Sequence, residues 1–433
     1  MCSAIGLGDT CQWVKMDRTD ALIVLLLVCK YWKNILLTTT SLWASVMASP
    51  VTIGDAELMA TWLQRSGRSP LDLHFTAHDN DIADVGLDII LRHKSHWGDI
   101  TIDWSNRSTL APRLVSPFIT APTPLLWKFE LLTNFDVDCA EEDSGVANQL
   151  ATLLGSSPKL LSLCWYAQQY YHDGKPVRLQ GLTLKHLRLL HLTCMISILE
   201  CSHILRQIPL LEVCNLGFVE NREGSEPLIN EAIVLLKLRE FALQTDENLS
   251  SFFRALQLPS LTHLTVVFRH NNNTLHGSLG PFHEWPQASF MSFLTRSACS
   301  LSRLSLIVPI AEDDLLECLD HVSPTLESLI LVLKFDWPTF GNRTLALLTE
   351  PVLSQRERKF PKLKVITFFA SLGEVAPHAL ADMVESRWCF PEDEFQFENP
   401  DIVAFSIHGI PEEDQRRIRV MALRGKSGKI TCI

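Results

Sequence analysis

Histidine pairs are the residues whose type and spacing come nearest to a metal site. His93 and His96 stand three residues apart, and His74 and His78 stand four apart. Two histidines at such a spacing can begin a zinc site, but no Cys or His pair with ligand spacing lies nearby to complete it. We therefore expect solvated histidines here, no bound metal, and no cofactor.

The other motifs that could carry chemistry are incomplete. Three aspartates resemble the start of a calcium loop: Asp79, Asp81 and Asp84. However, Asp84 and Ile90 occupy the positions where such a loop needs Gly and Glu. The Gly-Lys-Ser of residues 425–427 copies the end of a phosphate loop, but Val420 stands in place of its first Gly. Acidic runs such as Glu312-Asp313-Asp314 suit helix starts, where the helix dipole favours them. We expect no enzymatic activity.

Composition limits the class of protein and its partners. The chain has 433 residues, is 47% hydrophobic and 20% charged, and carries a formal net charge of −11. Such a chain can bury a large core, and its acidity argues against nucleic acid as the main partner. The longest apolar run, Ala21 to Cys29, is too short to span a bilayer and resembles no signal peptide, so we expect no membrane partner. Twelve cysteines without a Cys-x-x-Cys pair indicate free thiols, as in the cytosol or nucleus.

Tryptophans and aliphatic residues concentrate between Leu26 and Val46. Apolar residues between Leu25 and Leu36 recur at helical spacing, so they would share one face of a helix. The run Thr38-Thr39-Thr40-Ser41 then breaks the pattern, and a Ser or Thr in it can cap a second helix starting at Leu42. The simplest interpretation is an amphipathic helical hairpin.

This segment resembles the second half of an F-box of the form common in large fungal families. The shared features are a Val-Cys-x-x-Trp helix, a short Thr/Ser turn and a Leu-Trp pair. The resemblance implies docking to a Skp-type adaptor of a cullin ubiquitin ligase. It assigns five residues to the adaptor contact or to the core of the F-box itself: Val28, Cys29, Trp32, Leu42 and Trp43. F-boxes of this type begin with a Leu-Pro pair, which residues 1–20 do not contain.

A Leu-x-x-Leu-x-Leu pattern recurs nine times along the rest of the chain. The nine units begin at Leu126, Leu160, Leu187, Leu211, Leu238, Leu261, Leu301, Leu326 and Leu363. Most intervals are 23 to 27 residues and others are 34 to 40 residues, which suits leucine-rich repeats with insertions. With amphipathic helices between the strands, the pattern predicts an α/β fold. We expect a short N-terminal helical F-box-like segment followed by an irregular leucine-rich-repeat solenoid with a parallel sheet. A doubly wound α/β domain is the alternative.

The lead-in and the end of the chain extend the resemblance. A helix around Met59 to Leu63, an Arg-Ser-Gly-x-Ser-Pro-Leu turn and strands near Asp72 and Trp97 look like the family's approach to its repeats. The stretch from Leu380 to Trp388 resembles its closing helix. We predict three segments: residues 1–46 as a partial F-box-like segment, 47–124 as the lead-in, and 125–433 as the repeats with a C-terminal cap.

Outward-facing strand residues are the candidates for binding a target protein. In a strand, the Leu-x-Leu pair faces inward and the intervening residues face outward. The candidates are Arg239, Glu240, Gln244, His263, Arg269, Arg303, Glu327 and Lys334. The aromatic segment Phe282 to Pro286 is either a recognition loop or a packing element. These patterns predict a non-catalytic substrate receptor of a ubiquitin ligase. The alternative is a scaffold that binds partner proteins without adaptor docking.

Overall fold

The computed structural model shows a mixed α/β protein with a large parallel sheet. It describes residues 18–78, 81–105, 123–134, 154–155, 157–168, 184–220, 229, 231–245, 247–268, 285–332, 341–349, 359–371, 375–388, 402–408, 412–424 and 429–432. The chain forms two compact units, residues 1–160 with 167–169, and residues 161–166 with 170–433. The three segments predicted from the sequence, with their limits after residues 46 and 124, stay a prediction.

Four parallel strands form the sheet of the first unit. They are β1 (Ser45–Ala48), β2 (Leu71–Thr76), β3 (Trp97–Trp104) and β4 (Lys128–Asn134), paired in chain order. Leu73, Ile100 and Phe129 are register neighbours across three of these strands, and all three are buried. Alternate residues therefore build one apolar face, as the period of a strand requires.

Four helices accompany these strands. They are α1 (Arg18–Val28), α2 (Lys30–Thr38), α3 (Ile53–Arg65) and α4 (Asp81–Arg92). Helix α3 begins with a capping box, in which the Thr52 hydroxyl accepts a hydrogen bond from Asp55 N, and the Asp55 carboxylate accepts one from Thr52 N. After α3 the chain turns at Gly67, whose φ of +60° favours glycine. The predicted helix, turn and strands of the lead-in are confirmed.

The helices predicted from periodicity in the N-terminal segment were partly wrong. The predicted face from Leu25 to Leu36 assumes one continuous helix, but Cys29 is extended (φ −165°, ψ 167°) and separates α1 from α2. The predicted second helix at Leu42 is a 3₁₀ turn, Thr40–Trp43, without a side-chain cap. The short strand β1, which the sequence pattern did not indicate, follows at once.

Parallel strands in chain order also form the sheet of the second unit. They are β5 (Ser162–Gln168), β6 (Leu189–Ser197), β7 (Val213–Glu220), β9 (Glu240–Thr245), β11 (His263–Phe268), β12 (Arg303–Ile307), β13 (Ser328–Val332), β14 (Val365–Ser371), β15 (Ile402–His408) and β16 (Lys429–Cys432). Two short strands, β8 (Ile233–Val234) and β10 (Leu256–Gln257), pair separately. The strand order of this unit contains no reversal, so it differs from that of a doubly wound sheet.

The nine predicted Leu-x-x-Leu-x-Leu units each coincide with a strand from β4 to β14, which confirms this part of the prediction. Their inward residues stack in register across neighbouring strands: Leu163, Leu190, Cys214, Phe241, Leu264, Leu304, Leu329 and Ile366. All eight are buried. The core of this unit is therefore a row of aliphatic and aromatic side chains behind the sheet.

Helices of the second unit lie between its strands in the sequence. They are α5 (Ile198–Gln207), α6 (Ser250–Ala255), α7 (Gln287–Ser297), α8 (Glu312–Val322), α9 (Asn342–Leu348), α10 (Ala379–Trp388) and α11 (Glu412–Arg424). The amphipathic helices predicted between the strands and the closing helix predicted from Leu380 to Trp388 are confirmed. Among the described residues, no helix has the length and apolar character needed to cross a bilayer.

Candidate functional site

The N-terminal helical pair is held together by a small aromatic core. Leu22 of α1, Leu36 of α2, Trp43 and Trp62 of α3 form one buried cluster. The Trp43 indole N–H donates to the Leu36 carbonyl at 2.7 Å, and the Trp43 ring meets the Trp62 ring edge-on at 4.7 Å between centroids. The Arg65 guanidinium lies 4.6 Å from the centroid of the Trp43 ring. Trp43 is thus a fixed core residue with its polar atom satisfied.

Large apolar side chains of this helical pair and of the turn after it are exposed. They are Ile23, Val24, Leu27, Val28, Tyr31, Trp32, Ile35, Leu37 and Leu42. Leu27 is 81% exposed and Trp32 is 44% exposed. Single exposed apolar residues are ordinary on a protein surface, whereas a group of this size is unusual. We call these nine residues the apolar hairpin face.

The five residues predicted for the F-box separate into two groups. Trp43 is 0% exposed and belongs to the core. Val28, Trp32 and Leu42 belong to the apolar hairpin face, and Cys29 is an exposed free thiol between the two helices. Lys30 and Lys33 of α2 are also exposed.

A groove crosses the outward face of the sheet in the second unit. Its floor consists of small side chains in register on neighbouring strands, namely Ala242, Thr265 and Ser305. His191 and Asn215 bound one end and Ile330 bounds the other. The volume of the groove is about 350 Å³. Because the small residues are register neighbours, the groove runs across the strands.

Charged residues predicted from the sequence line one side of this groove. Glu240, His263 and Arg303 are register neighbours on β9, β11 and β12. Glu240 and Arg303 are exposed, and within the described residues neither side chain forms an ion pair. Two strand spacings separate their backbones by roughly 10 Å. The groove therefore offers a negative and a positive group to the same ligand.

The polar end of the groove contains a half-buried histidine, His191. The His191 imidazole lies 3.2 Å from the Asn215 side-chain amide, and its ring lies against Tyr166 at 4.5 Å between centroids. Burial lowers the pKa of His191 from its usual value, because desolvation disfavours the charged ring. This end of the groove therefore presents the hydrogen-bonding groups of His191 and Asn215. The sequence pattern did not identify His191 or Asn215 as binding residues, although both occupy outward positions between predicted inward leucines.

Three further predicted binding residues that the structure describes do not line the groove. Arg239 and Glu327 are exposed and precede β9 and β13, while Gln244 is half-buried near the end of β9. Arg269 and Lys334 lie outside the described residues. Of the segment Phe282 to Pro286, only Trp285 and Pro286 are described. Trp285 is buried between Phe253, Phe268 and Phe290, which supports the packing interpretation for that residue.

Neither predicted histidine pair is part of a larger ligand set, since the described residues contain no group of three or more metal-ligating side chains. Burial lowers the pKa of His93, and the nearby positive groups of His96 and Arg92 lower it further.

Comparison with protein-family models and with curated proteins finds no match to this chain.

Proposed function

We propose that this chain is a non-catalytic substrate receptor of a Skp/cullin-type ubiquitin ligase. The apolar hairpin face docks the Skp-type adaptor, and the outward sheet groove of the second unit holds a target protein. The observation that carries this proposal is that the residues of the Val-Cys-x-x-Trp and Leu-Trp segment divide into a buried group and an exposed group. Trp43 fixes the module from within, while Val28, Trp32 and Leu42 remain exposed for an adaptor.

The repeat pattern supports the receptor half of the proposal. Parallel strands in chain order, with inward leucines in register, are what a leucine-rich solenoid requires. A solenoid presents a row of outward strand residues as a rigid binding surface. The mixed charge of Glu240 and Arg303 beside a floor of small residues suits a polar protein segment as the ligand.

Free thiols support an intracellular setting for this function. Seven of the described cysteines form no disulfide, and five of these seven are buried. Buried thiols of this kind are typical of proteins in a reducing compartment. We accordingly place the receptor in the cytosol or nucleus, where cullin ligases act.

Binding to a purified Skp-type adaptor tests the docking half. We expect the full chain to bind with a micromolar or lower Kd. We expect Trp32→Asp to weaken binding by at least about thirtyfold, as for a central interface residue. Leu236→Asp is the matched control, because Leu236 is equally apolar and 63% exposed in the second unit. Calorimetric titration of the adaptor into each variant gives the Kd values.

A scaffold that binds partner proteins without adaptor docking is the alternative function. Its motivation is that the resemblance to an F-box rests on the short segment from Leu26 to Val46. This alternative predicts no adaptor binding at micromolar concentration by the wild-type chain. Equal affinities of the wild-type chain and the Trp32→Asp variant would also contradict docking through the apolar hairpin face.

A further inference from the structure

The first strand of the sheet has an open edge. Strand β1 pairs in parallel with β2, with Ser45 opposite Asp72 and Ala48 opposite Phe75. In the described part of the chain, no strand pairs with the other side of β1. An open edge presents unpaired N–H and C=O groups to which another strand can add.

The hydrogen-bond pattern identifies the groups on this edge. Asp72 N donates to the Ala44 carbonyl at 2.8 Å. In a parallel strand, the backbone N–H and C=O groups of successive residues point alternately to the two neighbouring strands. Those of Val46 and Ala48 therefore also point to β2. Ser45 and Met47 therefore direct their backbone N–H and C=O away from β2. Neither residue has another backbone partner among the described residues.

Exposed apolar side chains follow this strand in the sequence, and Asp55 lines the cavity beside it. Met47 and Ile53 are each 63% exposed, and Val51 and Leu58 are also exposed. A cavity of about 180 Å³ lies beside the strand, and Met59 and Trp62 contribute to its lining. The strand sequence Ser-Val-Met-Ala contains no Lys, Glu or Pro, the residues that usually protect an edge from pairing.

We propose that β1 pairs antiparallel with β1 of a second copy of this chain. The edge is self-complementary under a twofold axis through Val46. Ser45 then lies opposite Met47 of the second copy, and each such pair exchanges two N–H···O bonds. Four hydrogen bonds form, no edge donor or acceptor remains unpaired, and the surrounding apolar side chains of both copies are covered together. The edge of a second copy matches this one in length and in the spacing of its donors and acceptors.

Replacement of Met47 by proline tests this pairing. Proline removes the N–H that faces the open edge and leaves the bonds of Val46 and Ala48 to β2 intact. By light scattering after size exclusion, we expect the wild-type chain to have about twice its mass of 48.9 kDa. We expect Met47→Pro to have the monomer mass, with an unchanged circular dichroism spectrum. Met47→Leu keeps the N–H and the side-chain volume, and should remain dimeric.

A disulfide test checks the register. In the proposed dimer the two Val46 residues form a non-hydrogen-bonded pair, whose Cα separation of about 4.5 Å allows a disulfide. In a Cys29→Ser background, Val46→Cys should form a covalent dimer on mild oxidation. Met47→Cys should not, because the two introduced thiols lie two positions out of register.

Three results would overturn the proposed pairing. The first is a monomeric wild-type chain across about a hundredfold range of concentration. The second is a Met47→Pro variant that remains dimeric. The third is a monomeric wild-type chain together with weakened adaptor binding by Met47→Pro, because this combination would mean that the edge binds the adaptor. Because the adaptor Kd is measured separately, failure of this pairing is distinguishable from failure of the receptor function.

Discussion

Two tryptophans eleven residues apart have different roles at the residue scale. Trp43 is buried, donates a hydrogen bond to Leu36 and packs on Trp62, whereas Trp32 is nearly half exposed. We expect Trp43→Ala to lower the free energy of unfolding by about 3–5 kcal/mol, because it leaves a cavity in the hairpin core. We expect Trp32→Ala to lower it by less than about 1 kcal/mol. Urea unfolding of both variants, followed by circular dichroism, gives the two values, and equal losses would contradict the assignment.

The sequence alone could not separate these two residues. Both tryptophans follow aliphatic residues, and one continuous helix would place Trp32 with Leu25 and Val28 on the same side. The extended conformation of Cys29 changes that alignment, although no Pro or Gly marks the break. The sequence could therefore predict which residues matter in the hairpin, but not which of them face inward. On the sheet the assignment was easier, because a period of two leaves only two faces.

At the element scale, one carboxylate connects two helices. Glu312, in the first turn of α8, accepts hydrogen bonds from Gly341 N at 2.8 Å and from Thr344 N at 3.0 Å, at the start of α9. The Thr344 hydroxyl donates to the same oxygen at 3.0 Å. We expect Glu312→Gln to destabilise the protein by about 1–2 kcal/mol, like the loss of a helix cap. Asp313→Asn is the control, since Asp313 is exposed and its ion pair with Arg343 is at the surface. Urea unfolding that gives equal stabilities for Glu312→Gln and the wild type would contradict this role.

The same contact predicts a dependence of stability on pH. Desolvation raises the pKa of Glu312, but hydrogen bonds from Thr344 and Gly341 and the charge of Arg343 outweigh it, so the net pKa is lowered. A carboxyl with a lowered folded-state pKa stabilises the protein above its unfolded-state pKa. This stabilisation disappears as the pH falls through the folded-state value. The stability difference between wild type and Glu312→Gln should therefore shrink on acidification below the unfolded-state pKa. A constant difference down to the acid transition would show that the carboxylate charge is not involved.

The elements themselves were largely predictable, for a physical reason. A strand whose alternate residues are aliphatic has one apolar face, and that face must be buried. Each Leu-x-x-Leu-x-Leu unit therefore predicts a strand almost independently of its surroundings. Strand β1 was missed because four residues are too few to show a period. Strand β15 was missed because Ile402–His408 lacks the leucine triplet, although its β-branched residues favour a strand. The groove was not predictable, since it depends on which small residues become register neighbours.

At the scale of the whole molecule, cysteines report on the core of the second unit. Cys164, Cys194, Cys201, Cys214 and Cys318 are buried, whereas Cys29 in the first unit is exposed. Burial raises the pKa of Cys194 and Cys318 to about 12, since the thiolate is poorly solvated there. Only the thiolate reacts with alkylating reagents, and its fraction falls about tenfold for each unit by which the pKa exceeds the pH.

Native-state alkylation at mildly alkaline pH therefore has a defined outcome for the whole chain. We expect the peptide containing Cys29 to be modified first, and the five buried cysteines to react only through unfolding of the second unit. Their modification should rise together as urea is added, because neighbouring strands share one row of inward side chains and cannot open alone. Peptide mapping by mass spectrometry follows each site, with a fully unfolded sample as the control. Rapid modification of Cys194 or Cys318 without urea would mean that individual strands open independently. That result would remove the physical basis for treating the outward face as one rigid surface that can hold a target.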